Sequence, residues 1–245
     1  MRLPRFFFAF VLPIIFSGCF RSAVPSENIT ATLVRTENSP PIYILPPPNL
    51  QGSVSVEEAM AVRRSHRLFV DRALSIEQVS QILWAAYGIT LPLPAPQLRG
   101  GLRTVPSAGA VFPLEIYLVV GNVTGMAAGV YRYDSSAHSL TMVIEGDVRE
   151  ALTVAALGQP MIRTAPITLI HAADFRRIVA VYGERGHRYT WIEVGHSAQN
   201  IYLQAEALGL GTVAVGAFID GNVSAVLQLP PEEAPLYLMP IGFVQ

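Results

Sequence analysis

Hydrophobic and polar positions follow regular periods only after about residue 53 of the 245-residue chain. A serine or threonine followed three residues later by glutamate or glutamine satisfies free amides at a helix N-terminus. Such capping boxes predict three helices, which begin at Ser55 with Glu58, Ser75 with Gln78, and Thr190 with Glu193. The second is predicted to end at Gly88 and the third, the longest, at about Leu208.

Short apolar runs bounded by glycine, proline or polar turn residues predict the strands. They cover residues 114–120, 129–133, 139–144, 167–172, 213–218 and 236–241, and the second and third form a hairpin. A further helix is predicted over residues 148–157. Because helices and strands mix without strict alternation, the pattern indicates an α+β domain over residues 53–245, not a doubly wound parallel sheet.

The first 18 residues have the order of an export signal. Two arginines precede the apolar residues 6–16, and the small Ser17 and Gly18 come directly before Cys19. This order resembles a bacterial lipoprotein signal, so we expect lipidation of Cys19 and a membrane-anchored protein of the cell envelope. An ordinary secretory signal, or a short membrane anchor that keeps a free Cys19, is the alternative.

Composition narrows the classes of protein. Residues 19–52 contain proline, serine and asparagine without a sustained period, and we expect them to form an extended tether. Hydrophobic residues make up 51% of the chain and charged residues only 14%, which excludes a disordered polyelectrolyte and favours a partly covered surface, as in a homo-oligomer. A formal net charge of −1 gives no broad field for nucleic acid, and the single cysteine excludes a disulfide within the chain.

Three chemical motifs fail on their context. Gly209, Gly211 and Ala214 have the spacing of a dinucleotide fingerprint, but they follow a predicted helix and precede a strand, the reverse of the order that phosphate binding requires. Ser197 belongs to a near match of a nucleophile elbow inside a predicted helix, so a serine hydrolase is only a minor alternative. The five histidines show no spacing typical of a metal site.

Two other segments remain as candidate binding sites. Residues 63–67, Arg-Arg-Ser-His-Arg, place three guanidiniums and a hydroxyl at the end of a predicted helix, and guanidinium matches phosphate oxygens bidentately. Residues 103–110, Arg-Thr-Val-Pro-Ser-Ala-Gly-Ala, have small side chains that let backbone amides approach a flat ligand. Taken singly, the first is also compatible with a solvated turn and the second with a tight loop before a strand.

In order and spacing these segments resemble the FMN-dependent nitroreductase superfamily, and within it the SagB/ThcOx-type dehydrogenases, which include the azoline oxidases of peptide biosynthesis. The resemblance extends from about Ser53 to Phe243 and includes the Y-G-E-R-G-H-R-Y stretch, the E-x-G-H-S-A-Q-N helix and a closing I-G. It implies a nitroreductase-like fold with a central, mostly antiparallel sheet flanked by helices. It also implies an interwoven homodimer, FMN as cofactor, and a small-molecule or peptide substrate.

By that resemblance, Arg63, Arg64, Ser65 and Arg67 hold the phosphate and ribityl chain of FMN. The second segment lies against the flavin ring from the other subunit, and two residues after the long helix present a backbone amide to flavin N5. These further cofactor-binding residues are Arg103, Pro106, Ser107, Ala108, Gly109, Gly216 and Ala217. Because a donor at N5 tunes hydride transfer, the implied function is hydride transfer between a substrate and flavin N5.

Tyr182 is the candidate catalytic residue. The chain departs from the family pattern in two places, directly before Tyr182 and at the C-terminus. Azoline oxidases have a lysine directly before this tyrosine, whereas this chain has Val181. Many nitroreductases add a C-terminal lysine or arginine to the phosphate site, and the last residues here contain neither. A flavin-binding or scaffolding lipoprotein without redox turnover is therefore the alternative function. An exported enzyme is expected to use an electron partner in the envelope, or oxygen, instead of a soluble nicotinamide.

Overall fold

The computed structural model describes residues 32–34 and 40–245. The predicted export signal of residues 1–18 and the predicted lipidation site Cys19 lie outside the described residues. Within the described part of the chain, no helix combines the length and the apolar composition needed to cross a membrane.

Ten strands are formed by the described residues: β1 Thr32–Val34, β2 Ile42–Ile44, β3 Ile89–Pro92, β4 Gly101–Arg103, β5 Leu114–Val120, β6 Gly129–Asp134, β7 Ser139–Glu145, β8 Ile167–Asp174, β9 Gly211–Thr212 and β10 Glu233–Gly242. Eight of them form a central sheet in the order β1-β2-β7-β6-β5-β8-β10-β9, and β3 pairs with β4 apart from it. Every pair within the central sheet is antiparallel. The predicted α+β class with a central sheet is confirmed.

Seven α-helices accompany the sheet in the described residues: α1 Val56–Val62, α2 Ile76–Tyr87, α3 Arg149–Ala155, α4 Pro160–Thr164, α5 Phe175–Tyr182, α6 Arg185–Ala207 and α7 Asp220–Leu227. Residues of α2 and α6 form one hydrophobic cluster with the sheet, and residues of α3, α4 and α7 form another. The sheet is therefore covered on both faces.

The middle strand β5 shows why the sequence pattern identified the core. It is buried along its whole length, with Leu114, Ile116 and Leu118 in the cluster of α2 and α6 and with Tyr117 and Val119 in the other cluster. Side chains alternate across a strand, so a strand covered on both faces must be apolar at nearly every position. The run at residues 114–120 is therefore apolar except at Glu115, which is buried and paired with arginines.

The first two capping boxes are present as predicted. Ser55 Oγ accepts a hydrogen bond from the Glu58 amide at 3.1 Å, and the Glu58 carboxylate accepts one from the Ser55 amide at 2.9 Å. The same reciprocal pair joins Ser75 and Gln78. α2 ends at Gly88, where a Cβ atom would lie 2.8 Å from Cα of the preceding turn, so only glycine fits without a shift of the backbone.

The third capping box is wrong. α6 begins at Arg185, so Thr190 and Glu193 lie inside the helix and not at its start. The Thr190 hydroxyl donates to the Gly186 carbonyl at 3.1 Å, one turn back in the same helix. Hydroxyls of serine and threonine can bond either to free amides at a helix N-terminus or to a carbonyl one turn back inside the helix. The sequence pattern alone therefore did not identify the helix start.

The strand predicted at residues 213–218 is also wrong over most of its length. Only Gly211 and Thr212 pair with β10 as a strand, and Val215 adds an isolated bridge to Leu238. The segment then leaves the sheet and leads to α7. Three helices, α4, α5 and α7, were not predicted. Small apolar residues in this run serve an exposed turn, which composition cannot distinguish from a strand.

Part of the range predicted as a tether is folded onto the domain. β2 pairs with β7, and Tyr43 and Leu45 are buried in the core. The Ser80 hydroxyl of α2 donates to the Pro46 carbonyl at 2.6 Å. Four apolar residues before a proline run are too short a pattern to predict a strand, and the folded part begins earlier than residue 53.

A chain that starts at Ser53 is expected to be less stable than one that starts at Pro40, because it lacks the buried Tyr43 and Leu45. Each such side chain contributes about 1.5–3 kcal/mol when fully buried, so we expect a loss of about 3 kcal/mol or more in the free energy of unfolding. Urea denaturation of both chains measures the difference. A chain that starts at Thr32 serves as the control, and equal stability of the Ser53 and Pro40 chains would contradict the prediction.

Candidate functional site

The arginine segment of residues 63–67 leaves α1 in an extended conformation and lies beside β9. Ser65 forms a parallel bridge with Thr212, and the His66 amide donates to the Thr212 carbonyl at 2.9 Å. The side chains of Arg64 and Arg67 are exposed, and Arg63 is half-buried. Among the described residues none of these three guanidiniums forms an ion pair, so their charges are available to an anion.

Tyr202 of α6 holds this segment in place. Its hydroxyl lies 3.1 Å from Ser65 Oγ and accepts a hydrogen bond from the Ala214 amide at 2.8 Å. The guanidinium carbon of Arg63 lies 5.2 Å from the centre of its ring, within cation–π range. Tyr202 carries no signal in the sequence, because a tyrosine in a long helix has no distinguishing spacing.

The turn of Gly216 and Ala217 comes after Ala214 and Val215, the latter of which is bridged to Leu238 of β10. Both turn residues are exposed. The Ala217 carbonyl accepts from the Gln159 side chain at 2.8 Å, which fixes the turn. Within residues 40–245 no hydrogen bond from the amides of Gly216 or Ala217 is present, so both remain available as donors.

The loop of residues 106–109 lies near Tyr182 at the end of α5 and near Glu193 of α6. Gly109 has φ +59°, a left-handed conformation that favours glycine, and a Cβ atom there would lie 2.4 Å from the Tyr182 hydroxyl. Ser107 Oγ accepts the Phe112 amide hydrogen at 2.9 Å. The structure thus brings Tyr182 and Gly109, two residues singled out from the sequence, into contact.

Arg103 is placed differently from its neighbours in the second segment. It is buried, and its guanidinium donates to the carbonyls of Leu98, Arg99 and Gly101 and to the Ser135 hydroxyl. It also stacks over the rings of Tyr87 and Phe112. These contacts give Arg103 a supporting position beneath the loop, and its role as a direct cofactor contact stays a prediction.

Glu193 is the second residue whose position the sequence did not reveal. It is 2% exposed, and its Oε1 atom accepts a hydrogen bond from the Tyr87 hydroxyl at 2.5 Å. Burial raises the pKa of this carboxyl above its ordinary value, while the Ser107 and Tyr87 hydroxyls oppose the shift. Its assignment to a capping box hid this position beneath the loop.

The two parts of the site lie apart within one chain. Tyr202 beside the arginine segment and Glu193 beneath the loop are nine residues apart on α6, which corresponds to about 14 Å along the helix axis at 1.5 Å per residue. One chain therefore does not bring the arginine segment and the loop of residues 106–109 into one compact pocket.

The geometry of Ser197 argues against the serine hydrolase. Its hydroxyl donates to the Ala86 carbonyl at 2.7 Å, so its oxygen accepts from Nε2 of His171 at 2.8 Å. A nucleophilic serine needs a histidine that accepts its hydrogen instead. Both side chains are fully buried, and burial lowers the pKa of His171 to about 3. This pair is a structural contact between α6 and β8.

Comparison with known proteins identifies the family. The model of the nitroreductase family matches residues 60–243. The chain belongs to the nitroreductase family. Family members are flavin oxidoreductases that typically bind FMN, so the resemblance stated from the sequence is confirmed at this level.

Individual relatives agree with this assignment. A protein of Methanocaldococcus jannaschii named as a candidate nitroreductase is 46% identical over 189 residues, which cover 77% of this chain and 91% of that protein. The trifolitoxin-processing protein TfxB of Rhizobium leguminosarum bv. trifolii is 30% identical over 212 residues, 84% of this chain but 57% of TfxB. The solved E. coli microcin synthetase McbBCD complex with truncated pro-MccB17 bound matches with a TM-score of 0.61 and 25% identity, covering 82% of this chain and 78% of that chain.

Tyr202→Phe is expected to lower the free energy of unfolding by about 1–2 kcal/mol, because the Ala214 amide loses its acceptor. Urea denaturation measures this loss, and hydrogen exchange should be faster at the Ala214 amide. Tyr189→Phe, on the same helix, is the matched control, since the Tyr189 hydroxyl makes no hydrogen bond among the described residues. Equal losses in the two variants would contradict the role of Tyr202.

Proposed function

We propose that this nitroreductase-family protein is an FMN-dependent oxidoreductase that transfers hydride between a small-molecule or peptide substrate and flavin N5. Arg63, Arg64, Ser65 and Arg67 hold the phosphate and ribityl chain. The observation that carries the proposal is the set of three guanidiniums without ion pairs among the described residues, in a segment that pairs with Thr212 of β9, the strand that leads into a turn with free amides. Charge-assisted bonds to phosphate contribute about 1.5–3 kcal/mol each.

The turn of Gly216 and Ala217 also supports the proposal. Flavin N5 accepts or delivers hydride when FMN is bound, and a backbone donor beside it tunes that transfer. The two free amides are rigidly placed, because Val215 is bridged to Leu238 and the Ala217 carbonyl is held by Gln159. A donor that is fixed before the ligand arrives loses little entropy on binding.

The separation of the two parts of the site supports a homodimer. The exposed face of α6 carries Trp191 at 54% and Ile192 at 50% exposure, and α1 adds Val56 and Met60 at 59% and 57%. Gly195 lies on the same face of α6, and a Cβ atom there would meet nothing within 4 Å. A second copy on this surface covers the apolar side chains and supplies the loop of residues 106–109 to the arginine segment of its partner.

The substrate class follows from the relatives only in part. TfxB and the microcin synthetase complex indicate processing of a peptide, and we extend that class to this chain as a proposal. Tyr182 stands at the loop of residues 106–109 and can hold a proton near the substrate. However, the chain contains no lysine at any position, so the lysine–tyrosine pair of azoline oxidases cannot form here. A flavin protein without redox turnover is the second candidate on that observation.

We further propose that the protein is exported and anchored through Cys19 to the bacterial cell envelope. The support is the order of charged, apolar and small residues before Cys19. An electron partner in the envelope, or oxygen, then serves as the second substrate. Radiolabelled palmitate incorporated into the native chain but not into Cys19→Ala supports the anchor, and a native chain found in the cytoplasm with residues 1–18 retained contradicts it.

The purified protein is expected to be yellow and to bind FMN, and Arg63→Ala/Arg67→Ala is expected to lose at least about a hundredfold in affinity, because two phosphate contacts disappear. Absorbance after gel filtration and quenching of FMN fluorescence measure this. Arg163→Ala, an exposed arginine of α4, should bind as the native protein does. A native protein that stays colourless after incubation with FMN would contradict the proposal.

Gly195→Arg is expected to give a monomer that binds FMN weakly, because a charged side chain enters the proposed contact between two α6 helices. Gly221→Arg on α7 is the matched control: that glycine is also exposed, and a Cβ atom there also meets nothing within 4 Å. Light scattering after size exclusion gives the molecular mass. A native protein that elutes as a monomer with FMN bound contradicts the dimer.

A further inference from the structure

One carboxylate oxygen is buried without a partner beneath the loop of residues 106–109. Oε1 of Glu193 accepts the Tyr87 hydroxyl, but Oε2 has no hydrogen-bond partner among the described residues. A buried charged oxygen in this position is costly unless it gains a donor or carries a proton itself. The arrangement therefore indicates a site that changes between two protonation states.

The Ser107 hydroxyl lies near this carboxyl and is one of the groups that lower its pKa, although the two form no hydrogen bond in this structure. Its oxygen already accepts the Phe112 amide hydrogen, which leaves one lone pair and the hydroxyl hydrogen. An ionised Glu193 can only accept, so it draws that hydrogen inward. A protonated Glu193 donates to the remaining lone pair, and the hydrogen of Ser107 must then point to the exposed side of the loop.

We propose that the protonation state of Glu193 sets the direction in which Ser107 donates, and that a proton on Glu193 makes Ser107 a donor to the flavin ring. This inference rests on the proposed function, in which Ser107 faces a ring carbonyl oxygen. Glu193 is a positioning residue, because it acts through Ser107 and does not touch the cofactor. Binding of FMN then takes up one proton whenever Glu193 is ionised beforehand.

The groups around Glu193 decide which oxygen carries the proton. Tyr87 faces it from α2, Arg103 from β4, Arg99 from the turn before β4, and Ser107 from the loop. Burial, together with the nearby Glu193, raises the pKa of the Tyr87 phenol well above its usual range, so this phenol keeps its hydrogen and keeps donating to Oε1. The proton that titrates is therefore on Oε2, the oxygen without a partner.

The test is the dissociation constant of FMN for the full chain, measured by fluorescence quenching from about pH 5 to about pH 9. Glu193→Gln always donates to Ser107. It is expected to match the native affinity at low pH and to bind more tightly at high pH, with the ratio growing by up to about tenfold per pH unit. Ser107→Ala lacks the donor, so it is expected to bind more weakly than the native protein at low pH and equally at high pH.

Ratios between proteins are the deciding quantity, because the phosphate of FMN itself titrates with a second pKa of about 6 in every sample. Ser107→Thr keeps a hydroxyl and should reproduce the native pH profile. If Glu193→Gln does not fold, the ratio of Ser107→Ala to the native protein decides alone. Ratios that stay constant across the pH range overturn the inference even where FMN binds tightly. Failure of the native protein to bind FMN at any pH is a different result, which overturns the proposed function as well.

Discussion

Polar side chains of α6 fix the positions of the arginine segment and of the loop of residues 106–109. Ser197 and Asn200 bond to main-chain carbonyls at the end of α2, and Asn200 also reaches the carbonyl of Thr104 just before the loop of residues 106–109. Ser197 and Asn200 follow Glu193 at i+4 and i+7 and so share one side of α6, whereas Tyr202, nine residues after Glu193, lies on the opposite side, beside the arginine segment. Buried polar groups must find partners with good geometry, so these bonds permit one placement of α6 against α2. A small slip of the helix would break several of them together.

Such a helix explains how a site can be rigid although its residues lie on exposed turns. The arginine segment, the turn after β9 and the loop before β5 have little regular structure of their own. The arginine segment and the start of the turn are held by Tyr202 of α6, and the backbone just before the loop is held by Asn200 of the same helix. Ligand groups on loops gain precision when a rigid scaffold supports them from below, and here one helix supports both parts.

The sequence predicted the elements whose pattern is enforced by burial, and it missed those whose position depends on distant partners. β5 could be predicted because both of its faces are covered. The helix starts at Ser55 and Ser75 could be predicted because a capping box is made only of local hydrogen bonds. Thr190 and Glu193 matched the same local pattern. However, the Thr190 hydroxyl bonds within the helix, and the Glu193 carboxylate accepts a hydrogen bond from Tyr87, which is 106 residues away. The arginine segment was found by its composition, whereas Tyr202 has no local signal and appears only once α6 and β9 are placed together.

The contact between Tyr182 and Gly109 links two positions far apart in the chain. The backbone at residue 109, with φ +59° and ψ 18°, is one that asparagine also adopts, so conformation alone does not demand glycine there. The Tyr182 hydroxyl restricts that freedom, because a Cβ atom would lie 2.4 Å from it unless the tyrosine side chain moved. In relatives with a small residue at the position of Tyr182, asparagine should become acceptable at the position of Gly109, and the two positions should therefore change together as the family diverges.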